Sequence, residues 1–211
     1  MIGIFGGTFD PVHLGHIQPA LDVKEALSLK QLRFVPCSIP PHRDTPIASN
    51  KQRVSMLAAA IENYHDCVID ERELNRQGIS YMVDTLASLR NDFPEEIFCL
   101  IIGMDAFLKL DHWSRWQSLF DYAHCVVTYR PGSELKINEL NITLKKLVND
   151  RQVHSVSDLI DSKESKLLFL PVTQLDISAT IIRQRIKQEQ SIKDLVPVQV
   201  NNIILQQQLY T

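Results

Sequence analysis

The stretch Gly6-Gly7-Thr8-Phe9-Asp10-Pro11-Val12-His13-Leu14-Gly15-His16 decides how this chain folds. It follows a short apolar run, Met1 to Phe5, that has the size and content of a buried strand stopped by a glycine turn. It precedes a segment from Gly15 to Leu29 whose apolar residues Ile17, Ala20, Leu21, Val23 and Leu27 fall at helical spacing. Strand, glycine turn and helix start make an anion site in that order. Glycine lets the backbone approach an anion and take positive φ, and the helix points free N–H groups and its positive dipole end at the same spot. His13 and His16, three apart at the helix start, can project toward one phosphate and donate hydrogen bonds to it, more strongly if protonated. The string is not the G-x-G-x-x-G fingerprint, so a hydride-carrying dinucleotide is not implied. An H-x-x-H pair can also chelate zinc, but no third or fourth ligand is evident.

Working outward, apolar runs at Leu32 to Val35, Val68-Ile69, Ile97 to Ile102, Cys125 to Tyr129 and Leu167 to Val172 read as further strands. Helical spacing appears through Met56, Leu57, Ala60 and Ile61, capped by Ser49 or Asn50, and through Val83, Leu86 and Leu89, capped by Ser80. A helical stretch follows Ile102. Another helix opens at Ser178 and runs through Ile181, Ile182 and Ile186, and an amphipathic one covers Val198 to Leu209. Pro36 to Asn50 reads as a long loop, and Ser133 to Lys166 as a peripheral helix and loops. Strands alternating with helices predict an α/β fold: a doubly wound, mostly parallel, Rossmann-like sheet with a small C-terminal helical extension, 1–211 forming a single domain. Ligands then sit beyond the carboxyl ends of the strands, at the topological switch point.

Composition narrows the function. The chain has 211 residues, 45% of them hydrophobic, which suits one core. A net charge of -3 argues against a general nucleic-acid binder, which carries a basic excess. No segment approaches the ~18 consecutive apolar residues of a membrane span, and no basic leader precedes an apolar run, so a cytoplasmic location without membrane or nucleic-acid partners is expected. None of the four cysteines pairs as C-x-x-C, and Cys67, Cys99 and Cys125 read as reduced core residues.

A second motif, Asp176-Ile177-Ser178-Ala179-Thr180-Ile181-Ile182-Arg183, supplies another helix start. Ser178 suits the N-cap, Thr180 adds a hydroxyl in the first turn, and Arg183 can fork onto phosphate oxygens. Two polyanions brought together by a slightly acidic chain need local cations, which His13, His16, Arg43 and Arg183 would supply. A Mg²⁺ ion held mainly by phosphate oxygens and water would neutralise the rest.

The first motif resembles the HxGH signature of the nucleotidyltransferase superfamily, and the second resembles that superfamily's I-S-x-T-x-I-R element. The resemblance implies an ATP site formed by Gly6, Gly7, Thr8, Phe9, His13 and His16 on one side, with Gly103 and Asp105. Ile177, Ser178, Thr180 and Arg183 would close it from the other side, with His13, His16 and Arg183 catalytic. Further segments carry a narrower likeness: Pro40-Pro41-His42-Arg43, Asp70-Glu71-Arg72-Glu73-Leu74, Ser80-Tyr81-Met82-Val83-Asp84-Thr85, Gly103-Met104-Asp105, Trp113 with Ser114 and Trp116, and Tyr129-Arg130-Pro131-Gly132. Together they resemble the nicotinate-nucleotide adenylyltransferases. That resemblance implies a pyridine ring stacked on Trp113, its carboxylate bound by the amides of Val83 and Ser114, and an acceptor site that includes Arg43 and Met82. Asp105 would hold a ribose or adenosine hydroxyl. Trp116 is read as core packing on the same helix face as Trp113, and Asp84 as a solvated carboxylate. The family often has Thr where this chain has Met82. The implied substrates are ATP and nicotinic acid mononucleotide. Open alternatives are a nicotinamide-mononucleotide or dual preference, a sister enzyme such as the pantetheine-phosphate adenylyltransferase, and a regulator that binds nucleotide without turnover. Monomer and homo-oligomer are equally compatible with the sequence.

Overall fold

In the best strand of the chain every side chain is apolar, so both faces of the sheet must be covered. The computed structural model, which describes residues 1–41, 45–132 and 139–211, shows how this is done. Strands β1 (Ile2–Gly7), β2 (Gln31–Pro36), β3 (Cys67–Ile69), β4 (Phe98–Gly103), β5 (His124–Tyr129), β6 (Gln152–Val153) and β7 (Leu167–Pro171) form one sheet. Its order is β3-β2-β1-β4-β5-β7-β6 and each pairing is parallel. The order reverses between β1 and β4. This is the doubly wound α/β fold expected, with every described strand parallel rather than most of them.

Alternation along β4 and β5 assigns the two faces. Cys99, Ile101 and Val126 belong to one apolar cluster, which α1 (Leu14–Ala26), α2 (Asn50–Ile61) and α8 (Val198–Gln206) cover through Val23, Met56, Leu57, Val200 and Ile204. Phe98, Leu100, Ile102, Cys125 and Val127 belong to the other. There α3 (Met82–Asp92) and α5 (Ile142–Arg151) contribute Leu86, Leu89, Leu144 and Leu147. The short helices α4 (Met104–Phe107) and α6 (Val156–Ile160) and the helix α7 (Ala179–Lys187) fill the connections. No helix of the described residues is long and apolar enough to cross a membrane.

Several expectations are corrected. Gly6 and Gly7 do not form a turn; they are the last two residues of β1, and the positive φ falls on Phe9, at 50°. The loop after them, and not the glycines, makes the reversal. Ser80 does not cap α3: Tyr81 occupies the N-cap without a side-chain bond, because the Ser80 hydroxyl accepts from the Ser38 amide at 2.9 Å. Trp113 and Trp116 do not share a helix face. Trp113 ends one 3-10 turn (Leu110–His112) in an extended conformation, and Trp116 begins the next (Trp116–Asp121). Within the segment read as a helix and loops, Gln152 and Val153 pair with β7 as an edge strand.

Ser49 does cap α2, in a reciprocal capping box with Gln52. One turn into that helix the apolar stripe is interrupted by Arg53, which is fully buried. Its guanidinium donates to the carbonyls of Thr8 at 2.6 Å and Cys37 at 2.8 Å, and to Asn50 Oδ1 at 2.7 Å. It thereby ties the ends of β1 and β2 to α2. Removing it takes the donor from two partly buried carbonyls. Arg53→Met, which keeps the stem, is expected to lower unfolding stability by about 2–3 kcal/mol. A urea midpoint within experimental error of the wild type would contradict this.

Candidate nucleotide-binding site

β1 and β4 stop pairing at Phe5 and Ile101. Beyond that point Gly6 and Gly7 on one side and Gly103 on the other line the opening where the strands part. Gly103 is the N-cap of α4, and a Cβ there would meet nothing within 4 Å. Asp105 follows in the first turn and is exposed.

His13 is the N-cap of α1, in extended backbone, with no side-chain bond to the helix. Its ring stacks on that of His16 with centroids 3.7 Å apart and planes 26° apart. His13 is only 4% exposed, and burial lowers its pKa to about 4. It is therefore neutral at pH 7, which corrects its reading as a resident cation. Its buried Nδ1 has no hydrogen-bond partner among the described residues. A stacked pair this close disfavours two positive rings, so a second proton needs an anion to offset it.

The second motif reaches the same place. Ser178 caps α7, its hydroxyl accepting from the Ile181 amide at 3.2 Å. A Cβ on Gly15 would lie 3.0 Å from His13 Nδ1 and 3.3 Å from the Ile177 carbonyl, so the absence of a side chain lets the two helix starts touch. Arg183 donates to the Asp10 carbonyl at 2.6 Å and to Thr180 Oγ1 at 3.4 Å. The structure thus gathers Gly6, Gly7, Thr8, His13, His16, Ile177, Ser178, Thr180 and Arg183. Phe9 is the exception. Its side chain is 1% exposed and packs edge-on against His16 and Phe34 and tilted against Phe5, so only its main chain is left for a ligand.

The acceptor residues cluster across the sheet opening. Arg115, in the left-handed region at φ 51°, donates to Asp84 Oδ2 at 2.8 Å and lies over the Tyr81 ring. This pair ties the Trp113-Ser114 turn to the first turn of α3, where Met82 and Val83 carry N–H groups without intrahelical acceptors. Asp84 is accordingly paired rather than merely solvated. Met82 reaches to β1: a Cβ on Gly6 would lie 2.5 Å from its methyl group. Arg43 lies outside the described residues.

Supporting residues escaped the sequence reading. Glu73, 3% exposed, accepts from Thr85 Oγ1 at 2.5 Å, and burial raises its pKa despite the Thr85 and Ser80 hydrogen bonds. It anchors the turn before α3. The sequence signal for Arg53 was present: it occupies the same helical stripe as Met56, Leu57 and Ala60, where a charge demands a buried partner.

Comparison with known proteins bears on the fold and the family. The model of the "Cytidylyltransferase-like" family matches residues 4–185. A protein of Methylococcus capsulatus named "Probable nicotinate-nucleotide adenylyltransferase" is 46% identical over 211 residues, 100% of this chain and 99% of its own length. One of the same name from Halorhodospira halophila is 43% identical over 97% of this chain and 93% of its own. Among solved structures, the Plasmodium falciparum nicotinic acid mononucleotide adenylyltransferase complexed with NaAD aligns with TM-score 0.74 at 16% identity, covering 99% of this chain and 96% of that one. Its complex with APC gives 0.72 at the same identity and coverage. At that identity the structures speak for the fold, whereas the full-length relatives speak for descent. The chain belongs to the nicotinate-nucleotide adenylyltransferase family of the cytidylyltransferase-like nucleotidyltransferases.

Proposed function

We infer that the chain transfers AMP from ATP to nicotinic acid mononucleotide, releasing pyrophosphate and forming nicotinic acid adenine dinucleotide. The observation that carries this reading is the convergence of two helix N-termini and the stacked His13–His16 pair beside the strand opening. Across that opening, Arg115 joins the Trp113 turn to the first turn of α3 through the Asp84 carboxylate. One side suits a triphosphate, and the other an aromatic ring bearing a carboxylate.

An acceptor phosphate oxygen attacks the α-phosphorus of ATP as the bond to the β-phosphate oxygen breaks. No protein nucleophile is needed, and rate comes from positioning and from stabilising charge that develops on the leaving group. Neutral His13 can donate one N–H to the triphosphate. The arriving anion raises the proton affinity of the stacked pair, so imidazolium charge appears when the ligand does. Arg183 is already hydrogen-bonded beside the same turn and has further N–H donors for phosphate. Imidazole and guanidinium are poor Mg²⁺ ligands, so a Mg²⁺ ion would be carried by the substrate's phosphates and water. Such an ion would lessen repulsion between the two phosphate groups. Trp113 would stack on the pyridinium, a cation–π contact of ~1 kcal/mol or more when desolvated. The free amides at Val83 and Ser114 favour a carboxylate over a carboxamide, half of which is itself a donor.

His16→Ala is expected to lower kcat, by about 100-fold, far more than it raises KM for either substrate; an unchanged kcat would remove His16 from the chemistry. With ATP and Mg²⁺, pyrophosphate release is expected to be much faster with nicotinic acid mononucleotide than with nicotinamide mononucleotide, even though Met82 replaces the hydroxyl that relatives often carry. Comparable rates would assign a dual-specificity pocket. The depressed His13 pKa makes a further prediction. The unfolded chain takes up a proton near pH 6.5 and the folded chain only near 4, so stability is full above 6.5 and falls as the pH drops toward 4. The His13 share of that loss is about 3 kcal/mol at most. Urea denaturation at pH 7 and 4.5 should show a smaller acid loss for His13→Gln than for the wild type, and equal losses would refute it.

A further inference from the structure

An aspartate in the middle of an anion-binding turn needs an explanation. Asp10 stands between the strand end and the two histidines, where a free carboxylate would repel phosphate. The structure turns it inward. Asp10 is 5% exposed, and its carboxylate accepts from the Ile47 amide at 2.8 Å, the Ala48 amide at 3.1 Å and the Tyr210 hydroxyl at 2.7 Å. Ile47 and Ala48 lead directly into Ser49, the cap of the helix whose Arg53 holds the Thr8 carbonyl. The main-chain carbonyl of Asp10 receives Arg183. One residue therefore fixes the start of α2 with its side chain and the second motif's guanidinium with its backbone.

Tyr210 completes this arrangement from 200 residues away. Its ring is 5% exposed and belongs to the apolar cluster under α1 and α2, so packing alone would be met by phenylalanine. The hydroxyl is what differs, and it is spent on Asp10. We propose that Tyr210 is a positioning residue for adenylyl transfer: its hydroxyl holds the Asp10 carboxylate out of the phosphate site and, through the Asp10 peptide, aims Arg183 at the triphosphate. Burial, reinforced by the hydrogen bond to Asp10, pushes the phenol above its ordinary range, which keeps the proton on the tyrosine and the hydrogen bond pointed one way. The kinetic part of the proposal rests on the function inferred above; the structural part does not.

The test uses the full chain with Tyr210→Phe, and Leu209→Ala as a neighbour that loses packing without losing a hydrogen bond. Tyr210→Phe is expected to lower kcat about tenfold, with KM for the pyridine mononucleotide changed by no more than about twofold, because the acceptor side of the cleft is untouched. Leu209→Ala should retain the wild-type kcat. Hydrogen exchange, which requires no turnover, should be about tenfold faster at the Ile47 and Ala48 amides in Tyr210→Phe than in the wild type, with β4 amides unaffected. Wild-type kinetics in Tyr210→Phe would overturn the proposal, as would equal kinetic losses in both variants, which would mark the effect as general loosening. Should the wild type transfer no adenylyl group, the proposed function falls by itself. Faster exchange at the two amides would then uphold the clasp, and unchanged exchange would overturn it.

Discussion

Two helix N-termini meet at one point beyond the carboxyl end of β1, a central strand, and most of the candidate site follows from that constraint. Each helix brings unpaired N–H groups and a partial positive charge to that point. Glycine at position 15 eases the approach, since a Cβ there would press tightly on the Ile177 carbonyl and the His13 ring. The sheet contributes the opening, since β1 and β4 diverge there and their crossovers run to opposite faces. Arg53 contributes rigidity, its buried side chain binding the carbonyls of Thr8 and Cys37 just past the ends of β1 and β2.

The electrostatics are arranged with little permanent charge. The net charge of the chain is -3, the buried histidine of the signature is neutral at rest, and the carboxylate nearest the turn is tied down by three donors. Dipoles and neutral donors incur a smaller desolvation penalty than buried ions.

Much of this was legible in the chain because buried parallel strands read as continuous apolar runs. The runs around β4 and β5 were unmistakable, and the two motifs stood at the expected junctions. The misses have physical causes. β6 is two half-buried residues, Gln152 and Val153, with no hydrophobic pattern to betray a strand. Ser80 looked like a cap, but a hydroxyl bonds whichever donor is nearest in space, and that was Ser38 from the preceding loop. The glycine pair suggested a left-handed turn, yet Phe9 adopts it, its ring held by Phe5, Phe34 and His16. Of the site, the residues that would face ligand were readable because their types match the chemistry. Among those that support it, Arg53 stood out as a charge on an apolar stripe, but its partners Thr8 and Cys37, like the Asp10 partner of Tyr210, lie in other elements of the chain, which no local pattern encodes.

The 200 positions between Asp10 and Tyr210 also carry a consequence for synthesis. The turn that would receive the nucleotide is among the first parts of the chain to be translated, and the hydroxyl that finishes it is made 200 residues later. At elongation rates of roughly 5–20 residues per second, the early turn waits about 10–40 s for its last partner. During that interval β1 and β2 can pair on the ribosome, but Asp10 lacks one of its three donors and α8 has not yet covered α2. A nascent chain of this family member can therefore begin to look like its fold well before it acquires a finished active site.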